Sequence, residues 1–467
     1  MVQIPILSGI YATAAPDFRT TYPHNLVPVP KEQGIAQGYL KPADGLSLLS
    51  EGVGPDRGGV EWDGVCYRVQ GASLVSVAED GTTVVIGNVG PGGPVTFDYS
   101  FDYLGIASDG RLYLYDGSIL KEVTDPDLGE VLSFVWIDGY FVTTDGESLV
   151  TTELNDPFTV SPLKYGSSEI DPDPINSVLE LRNEIYAVNS NSIEVFNNVG
   201  GSGFPFRRIE GAQIQKGSVG THAAAVFQGR IAFVGGGSND PPAVFLAANG
   251  RDEKISTREI DEILLDYTQE EVSGIVIETR NYLEHKWLYV HLADKTLVFD
   301  AAASAAMQRL VWFTLSGGDV AGARYPARGF VWCYGKWISG DPITGKIGVP
   351  VSDVSSHFGD RVSWSFGTII AYNEGTGAIF HDLELVSLTG EIALGASPII
   401  TTQYSIDGVN WSEPRTVMAG KQGNRAKRIS WRRQGKMRNY RLQRFLGNSD
   451  AHIAVSRLEA RIEPLAF

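Results

Sequence analysis

"SDGRLYLYDGS", Ser108 to Ser118, decides the fold: a short β-rich run, Arg111 to Tyr115, stands between two Asp-Gly pairs. Asp-Gly suits a tight connection because glycine takes positive φ freely and aspartate tolerates it, so the segment reads as a strand bounded by turns. The same arrangement recurs in "WDGVCYRV" from Trp62, "IDGYFVTTDGES" from Ile137, "RNEIYAVNSNSIEVFNN" from Arg182, "QGRIAFVGGGSND" from Gln228, "EHKWLYVHLADKTLVFD" from Glu284 and "RGFVWCYGKWISGD" from Arg328. Each places a polar pair such as Asp-Gly, Asn-Glu or Gln-Gly between two β-rich runs.

The interval between these units is roughly 35 to 50 residues, which fits four-stranded propeller blades and is too long for leucine-rich or ankyrin repeats. The fold expected is therefore all-β: a β-propeller of about seven blades, with six as the alternative. One segment departs from the β rhythm. "STREIDEILLDYTQEE" sets Ser256 and Glu259 as a capping box ahead of Ile260, Ile263, Leu264 and Tyr267, so a single inserted helix is expected near 256–271.

Outside the repeats the pattern changes. Before the first unit the chain is Pro-rich and turn-rich, and residues 1–56 read as an irregular N-terminal arm laid over other surfaces. The propeller is placed at 57–352. The alternating runs "ALGASPIITTQYSIDGVNW" and "HIAVSRLEARIEPL" suit a C-terminal antiparallel β-sandwich, placed at 360–467.

Composition agrees with a turn-rich β protein: 53 Gly and 23 Pro among 467 residues, with 43% hydrophobic and 20% charged residues. A formal charge of −17 makes the whole molecule repel a phosphate backbone, so any nucleic-acid contact has to be local. No apolar run is long enough to span a bilayer. Cys66 and Cys333 have neither metal-ligand nor redox spacing and read as buried thiols.

The chemical motifs favour structure over catalysis. "YSIDGVNW", Tyr404 to Trp411, resembles the Asp-box turn of sialidase-type propellers but is one residue short and occurs once, so it reads as a hairpin turn. Asp125, Asp127, Asp171 and Asp173 could be proposed as a glycosidase pair, yet they alternate with prolines as solvated loop acids do. His285 and His291 have no metal-binding spacing, and the glycine clusters lack the ending of a phosphate loop. No catalytic residue, metal site or cofactor is expected.

The exception to the acidic balance is "AKRISWRRQGKMRNYRLQRF", Ala426 to Phe445, which holds no acid. Ile429 and Trp431 alternate with polar positions, as do Tyr440 and Leu442, so the stretch reads as a hairpin turning at Gly435, with one apolar and one basic face. Its candidate interface residues are Arg425, Lys427, Arg428, Arg432, Arg433, Lys436, Arg438, Arg441 and Arg444. Such a face can grip phosphate or dock on an acidic protein surface, or be a solvated face.

Taken together, several segments resemble one family. They are "NLVPVPKEQGIAQGYLKPADGL" from Asn25, "SIEVFNN" from Ser192, "IQKGSVGTH" from Ile214, "EIDEILLDYTQEE" with "ETRNYLEHKWLYVHLADKTLVFDAA", then "SIDGVNW" and "KRISWRRQGKMRNYRL". In this order, and over nearly the whole chain, they resemble the packaged-DNA stabilization proteins, or tail hubs (tail accessory factors), of short-tailed phages of the Salmonella podovirus type.

The resemblance implies a non-enzymatic component of the virion tail, made in the bacterial host cytoplasm. Copies are expected to form a hexameric ring below the portal and its head-to-tail adaptor, helping to retain packaged DNA and carrying the tail needle and tailspike proteins. Under this reading the basic stretch faces an acidic protein partner, with direct DNA contact the less favoured option. The alternative is a glycan-binding or glycan-cleaving propeller protein of a phage tail.

Overall fold

The computed structural model describes all residues except 1, 8–9, 12–19, 32–36, 169–170, 319–322, 369–370, 390–397, 449–452 and 466–467. Seven antiparallel sheets follow one another along the chain. The first blade runs from Asp56–Trp62 to Thr83–Asn88, the second from Thr96–Tyr99 to Leu120–Glu122, and the third from Ser133–Ile137 to Asp156–Ser167. The fourth spans Ile175–Leu181 to Phe206–Arg208, the fifth Gly217–Ser218 to Arg251–Lys254, and the sixth Val276–Tyr282 to Trp312–Leu315. The seventh has Arg328–Cys333, Lys336–Gly340 and Ile347–Val351. Of the two blade counts expected, seven is the one present.

The fourth strand of the seventh blade comes from the other end of the chain. Gly45–Ser50 pairs antiparallel with Ile347–Val351, in the register Gly45↔Val351, Leu46↔Pro350 and Ser47↔Val349. The segment expected as an irregular arm therefore closes the ring, and it also builds part of the sandwich. Val2–Ile4, Leu26–Pro30 and Gly38–Pro42 all join one sandwich sheet. The prolines that suggested irregularity fit because Leu26–Pro30 lies at the sheet edge, where a missing N–H costs no ladder bond. Its Leu26 and Val27 are buried.

The sandwich sheet runs in the order Leu26–Pro30, Gly38–Pro42, Val455–Pro464, Ala378–Ser387, Ile429–Met437. Facing it, the second sheet is ordered Trp364–Gly367, Tyr440–Gly447, Ile399–Ser405, Arg415–Met418. Between them sits a core that includes Leu26, Leu40, Trp364, Phe380, Trp431 and Phe445. The two domains are stitched together at His24 and Asn25. The Asn25 N–H donates to the Thr314 carbonyl of blade six at 2.8 Å, and the His24 N–H to the Ser365 carbonyl of the sandwich at 2.9 Å.

The inserted helix differs in detail from the expectation. Helix α1, Arg258–Leu265, is capped by Thr257 rather than Ser256, and a second helix α2, Gln269–Ser273, begins with its own capping box of Thr268 and Glu271. Ser256 instead donates its hydroxyl to Asp261 at 2.6 Å. Ile260 and Leu264 are buried as the helical spacing required. A third helix, α3 (Ala301–Met307), is capped by Asp300 and had no separate signal in the alternation pattern.

Two measurements test this architecture. Leu46 is 1% exposed and Leu48, on the same closing strand, is 48% exposed. Leu46→Ala is expected to cost about 2–5 kcal/mol in denaturant unfolding, whereas Leu48→Ala should stay within about 0.5 kcal/mol; equal effects would contradict the closure.

Acid sensitivity is the second. Burial pushes His24, His222 and His357 down to about 4 from 6.5, with Lys295 adding to the effect at His24 and Arg328 at His222. Below pH 6.5 the unfolded chain binds protons that the folded chain refuses, so stability present above 6.5 is lost as pH falls toward 4. Asp98, raised to about 6 by burial, opposes this with a single proton. The thermal midpoint should fall between pH 7 and pH 4.5; a flat profile would refute the assignment.

Candidate protein interface

The basic stretch is not a hairpin. Ile429–Met437 pairs with Ala378–Ser387, and Tyr440–Gly447 pairs with Ile399–Ser405 and Trp364–Gly367, so the two strands lie in opposite sheets. The reason is the core: Ile429, Trp431 and Met437 enter it from one sheet while Phe445 enters from the other. Gly435, expected at the turn, lies inside the first strand at φ 84°, and the ladder shifts register opposite it between Phe380 and Asp382. A side-chain alternation of two is compatible with either arrangement.

This separates the nine candidate residues. Arg441, expected on an exposed basic face, is 1% exposed. Its Nη1 donates to the Gln434 carbonyl at 2.7 Å, Nε and Nη2 donate to Gln443 Oε1 at 3.1 and 2.9 Å, and the guanidinium lies 3.9 Å from the Tyr404 ring centroid. Burial lowers its pKa from the ordinary arginine value, with Tyr404 opposing the shift. Arg444 is half-buried over Trp411, 3.9 Å from its centroid, and donates to Gln403. Arg441 is therefore corrected from an exposed interface position to a buried sandwich support, filling a slot between the Phe380 and Tyr404 rings, while the half-buried Arg444 packs on a single ring.

Arg428 remains exposed but is held by Glu384, with Nε 2.7 Å from Oε1. The adjoining outer face is similarly laced, by Arg461 with Asp382 at 2.8 Å and His381 with Glu463 at 2.8 Å. By contrast, Arg425, Lys427, Arg432, Arg433, Lys436 and Arg438 are exposed and have no acid at ion-pair distance among the described residues. Lys421 shares the same exposed segment.

These cations line the edge strand of the sheet and the loop before it. Arg415, which lies outside the quoted basic stretch, shields part of that edge by donating Nη1 to the carbonyls of Arg432, at 3.1 Å, and Arg433, at 2.5 Å. The charge is strongly divided along the chain. Residues 361–467 contain 14 Lys and Arg against 9 Asp and Glu, a net of +5 in a chain of −17, so residues 1–360 carry −22.

The other candidates are structural. Asp125 accepts the N–H groups of Asp127 and Val160, and Asp173 accepts from Asn191 and Ser192, so these carboxylates hold turns together. Asp407 accepts N–H bonds from Val409 and Asn410 at 2.9 and 2.8 Å, making "YSIDGVNW" a hairpin turn. His285 is buried against Asp300, and His291 against Glu278. Among the described residues no three His, Cys, Asp or Glu side chains form a metal-binding group.

On the propeller axis, a cavity of about 270 Å³ is lined by residues including Arg57, His222, Glu278 and Arg328. Its charges serve the walls. Arg57 donates to the carbonyls of Gly93, Gly90 and Gly71 and to the Ser108 hydroxyl. Glu278 accepts from the Phe330 N–H, and Arg328 donates to the Asp56 carbonyl. Cys66 and Cys333 are buried free thiols in one apolar cluster between the first and seventh blades.

Comparison with known proteins matches both parts of the fold. A family model described as "Bacteriophage P22 Gp10, beta-propeller" matches residues 2–355, and one described as "Bacteriophage P22 Gp10, beta-sandwich" matches residues 363–463. The chain is 27% identical over 464 residues to tail hub protein gp10 of Salmonella phage P22, covering 93% of this chain and 94% of that protein.

Among solved structures, a computationally designed protein shares 14% identity with a TM-score of 0.38, covering 71% of this chain and 98% of its own. The WD40 domain of Neurospora crassa Pan2 shares 10% identity with a TM-score of 0.41, covering 64% and 89% respectively.

The division among the arginines is testable by stability. Arg441→Ala leaves buried amide oxygens without their donor and is expected to cost about 3–5 kcal/mol. Arg432→Ala, on the exposed edge, should change unfolding by less than about 0.5 kcal/mol. Equal sensitivity in chemical denaturation would overturn the separation.

Proposed function

Because the chain belongs to the bacteriophage P22 Gp10 family, we propose that its copies form a hexameric ring below the portal and its head-to-tail adaptor, helping to retain packaged DNA and attaching the tail needle and tailspike proteins. At the coarser level, this is a structural protein of the phage virion tail and not an enzyme. The observation that carries the fuller reading is the match to a tail hub across 93% of this chain and 94% of that protein, through propeller and sandwich alike.

The physical features support it. A closed propeller is a rigid disk whose two faces and rim can serve different neighbours, and function then resides in surface patches. A ring of identical chains uses two different patches on each copy, joined head to tail. The cations held on the sandwich edge are an ordered surface suited to an acidic partner, and the −22 carried by residues 1–360 disfavours holding passing DNA tightly. The glycan alternative would draw on repeated Asp boxes, whereas the sequence holds one shortened copy.

The test is the mass of the purified protein in solution, alone and with portal and adaptor rings of the same phage. Stable recruitment into a symmetric larger particle is expected. A protein that those rings leave monomeric would overturn the ring reading.

A further inference from the structure

The negative charge of the propeller is concentrated in one arc. Residues 96–175, which form blades two and three and their connections, contain 16 Asp and Glu against 3 Lys and Arg. Among the acids on one face of this arc are Asp109, Glu130, Asp145 and Glu147. Their loops adjoin through the bonds Val131 N–H to Gly110 O, at 2.9 Å, and Leu132 N–H to Thr144 O, at 2.9 Å. No Lys or Arg of the described residues forms an ion pair with these four.

Apolar surface lies beside them. The outer strand of blade three, Asp156–Ser167, leaves Leu163 77% and Tyr165 40% exposed. The Tyr165 hydroxyl donates to the Asp127 carbonyl, so the ring stands against the acidic loops, and burial, followed by the charges of Asp127, Asp145 and Asp125, raises its pKa.

The basic edge belongs to the sandwich, which joins the propeller away from this arc. The sandwich meets the propeller at blades six and seven, where Leu26–Pro30 follows the His24–Asn25 junction and Gly45–Ser50 enters the seventh blade. In a ring of seven blades, the centre of blade three is half a turn from the junction of six and seven. The edge strand Ile429–Met437 is four strands across the sheet from Leu26–Pro30, about 19 Å from it at the usual strand spacing. It too has apolar neighbours: the cross-strand pair Ile399 and Met418 on the facing sheet is 43% and 52% exposed.

Resting on the ring reading above, we propose that the basic sandwich edge of one copy seats on the acidic arc of blades two and three of the next copy. The occupant is a second copy, because one chain carries both halves of a charge-complementary pair, one on the sandwich and one on blades two and three, each bordered by exposed apolar side chains. Such an arrangement is heterologous, as a ring requires. The charges steer approach and register, while the apolar side chains supply area that leaves water.

A charge exchange tests this. One variant carries Lys427→Glu, Arg432→Glu and Lys436→Glu; the other carries Glu130→Lys and Glu147→Lys. Each is first checked for an unchanged thermal midpoint, and single substitutions replace any combination that fails this check. With portal and adaptor rings present, each variant alone is expected to lose the ring-sized mass seen with the wild type. An equimolar mixture should recover it, since alternating copies restore opposite charges at every contact.

Full assembly by either variant alone, or a mixture that stays unassembled, would overturn the contact while leaving the ring reading intact. Loss of duplex-DNA binding with assembly unaffected would also overturn it, making the edge a nucleic-acid grip. A wild-type protein that never joins the rings would sink the ring reading itself and this contact with it.

Discussion

Everything in the propeller depends on closing the last blade onto the first. The closure has two parts. Gly45–Ser50 supplies the outer strand of blade seven, and a buried ion pair between the first two strands of blade one reaches across to carbonyls of the seventh blade. Arg68 binds Asp56 through Nε to Oδ2 and Nη2 to Oδ1, both at 2.7 Å, and the same guanidinium donates to the carbonyls of Gly329 and Arg328. Both side chains are at most 1% exposed. A pair this deeply buried is stable only because each guanidinium nitrogen has an acceptor, and in an open ring the two carbonyls of blade seven would be missing from that set.

Because the closing strand follows directly on strands that belong to the sandwich, the two domains cannot be built separately along the chain. Leu26–Pro30 and Gly38–Pro42 are laid in the sandwich before Gly45–Ser50 enters the propeller, and Val455–Pro464 later pairs with Gly38–Pro42. Both chain ends thus meet in one sheet. The result is a division of labour in which an acidic propeller and a smaller basic sandwich are tied together by the His24 and Asn25 bonds. Two surfaces of opposite charge are then presented by one molecule, one on each domain.

The blades were legible because their signal is local. Turn pairs such as Asp109-Gly110 and Asp138-Gly139 need positive φ, and both aspartates and both glycines have it. Residues 26–30 read as irregular in the sequence because Pro28 and Pro30 break a ladder in isolation; they are acceptable strand residues only at a sheet edge, which is a property of the neighbours. The basic stretch was half legible. Its alternation correctly marked strands and its apolar residues entered the core, but alternation of period two does not say which strand lies alongside. Arg441 and Arg444 therefore look equivalent to Arg432 in the sequence, although Phe380 and Tyr404 enclose Arg441 and Trp411 covers one side of Arg444.

By itself the sequence determined the all-β class, the repeat that makes blades, the helical insertion, and a cluster of cations in an acidic chain. Those properties are set by turn chemistry, side-chain period and composition over short windows. The tertiary structure alone decided that residues 45–50 close the seventh blade, that residues 429–437 and 440–447 face each other across a core, and which cations remain on the surface. These depend on pairings between residues up to about three hundred positions apart, where the free energy comes from burying many side chains together and no short segment carries the information.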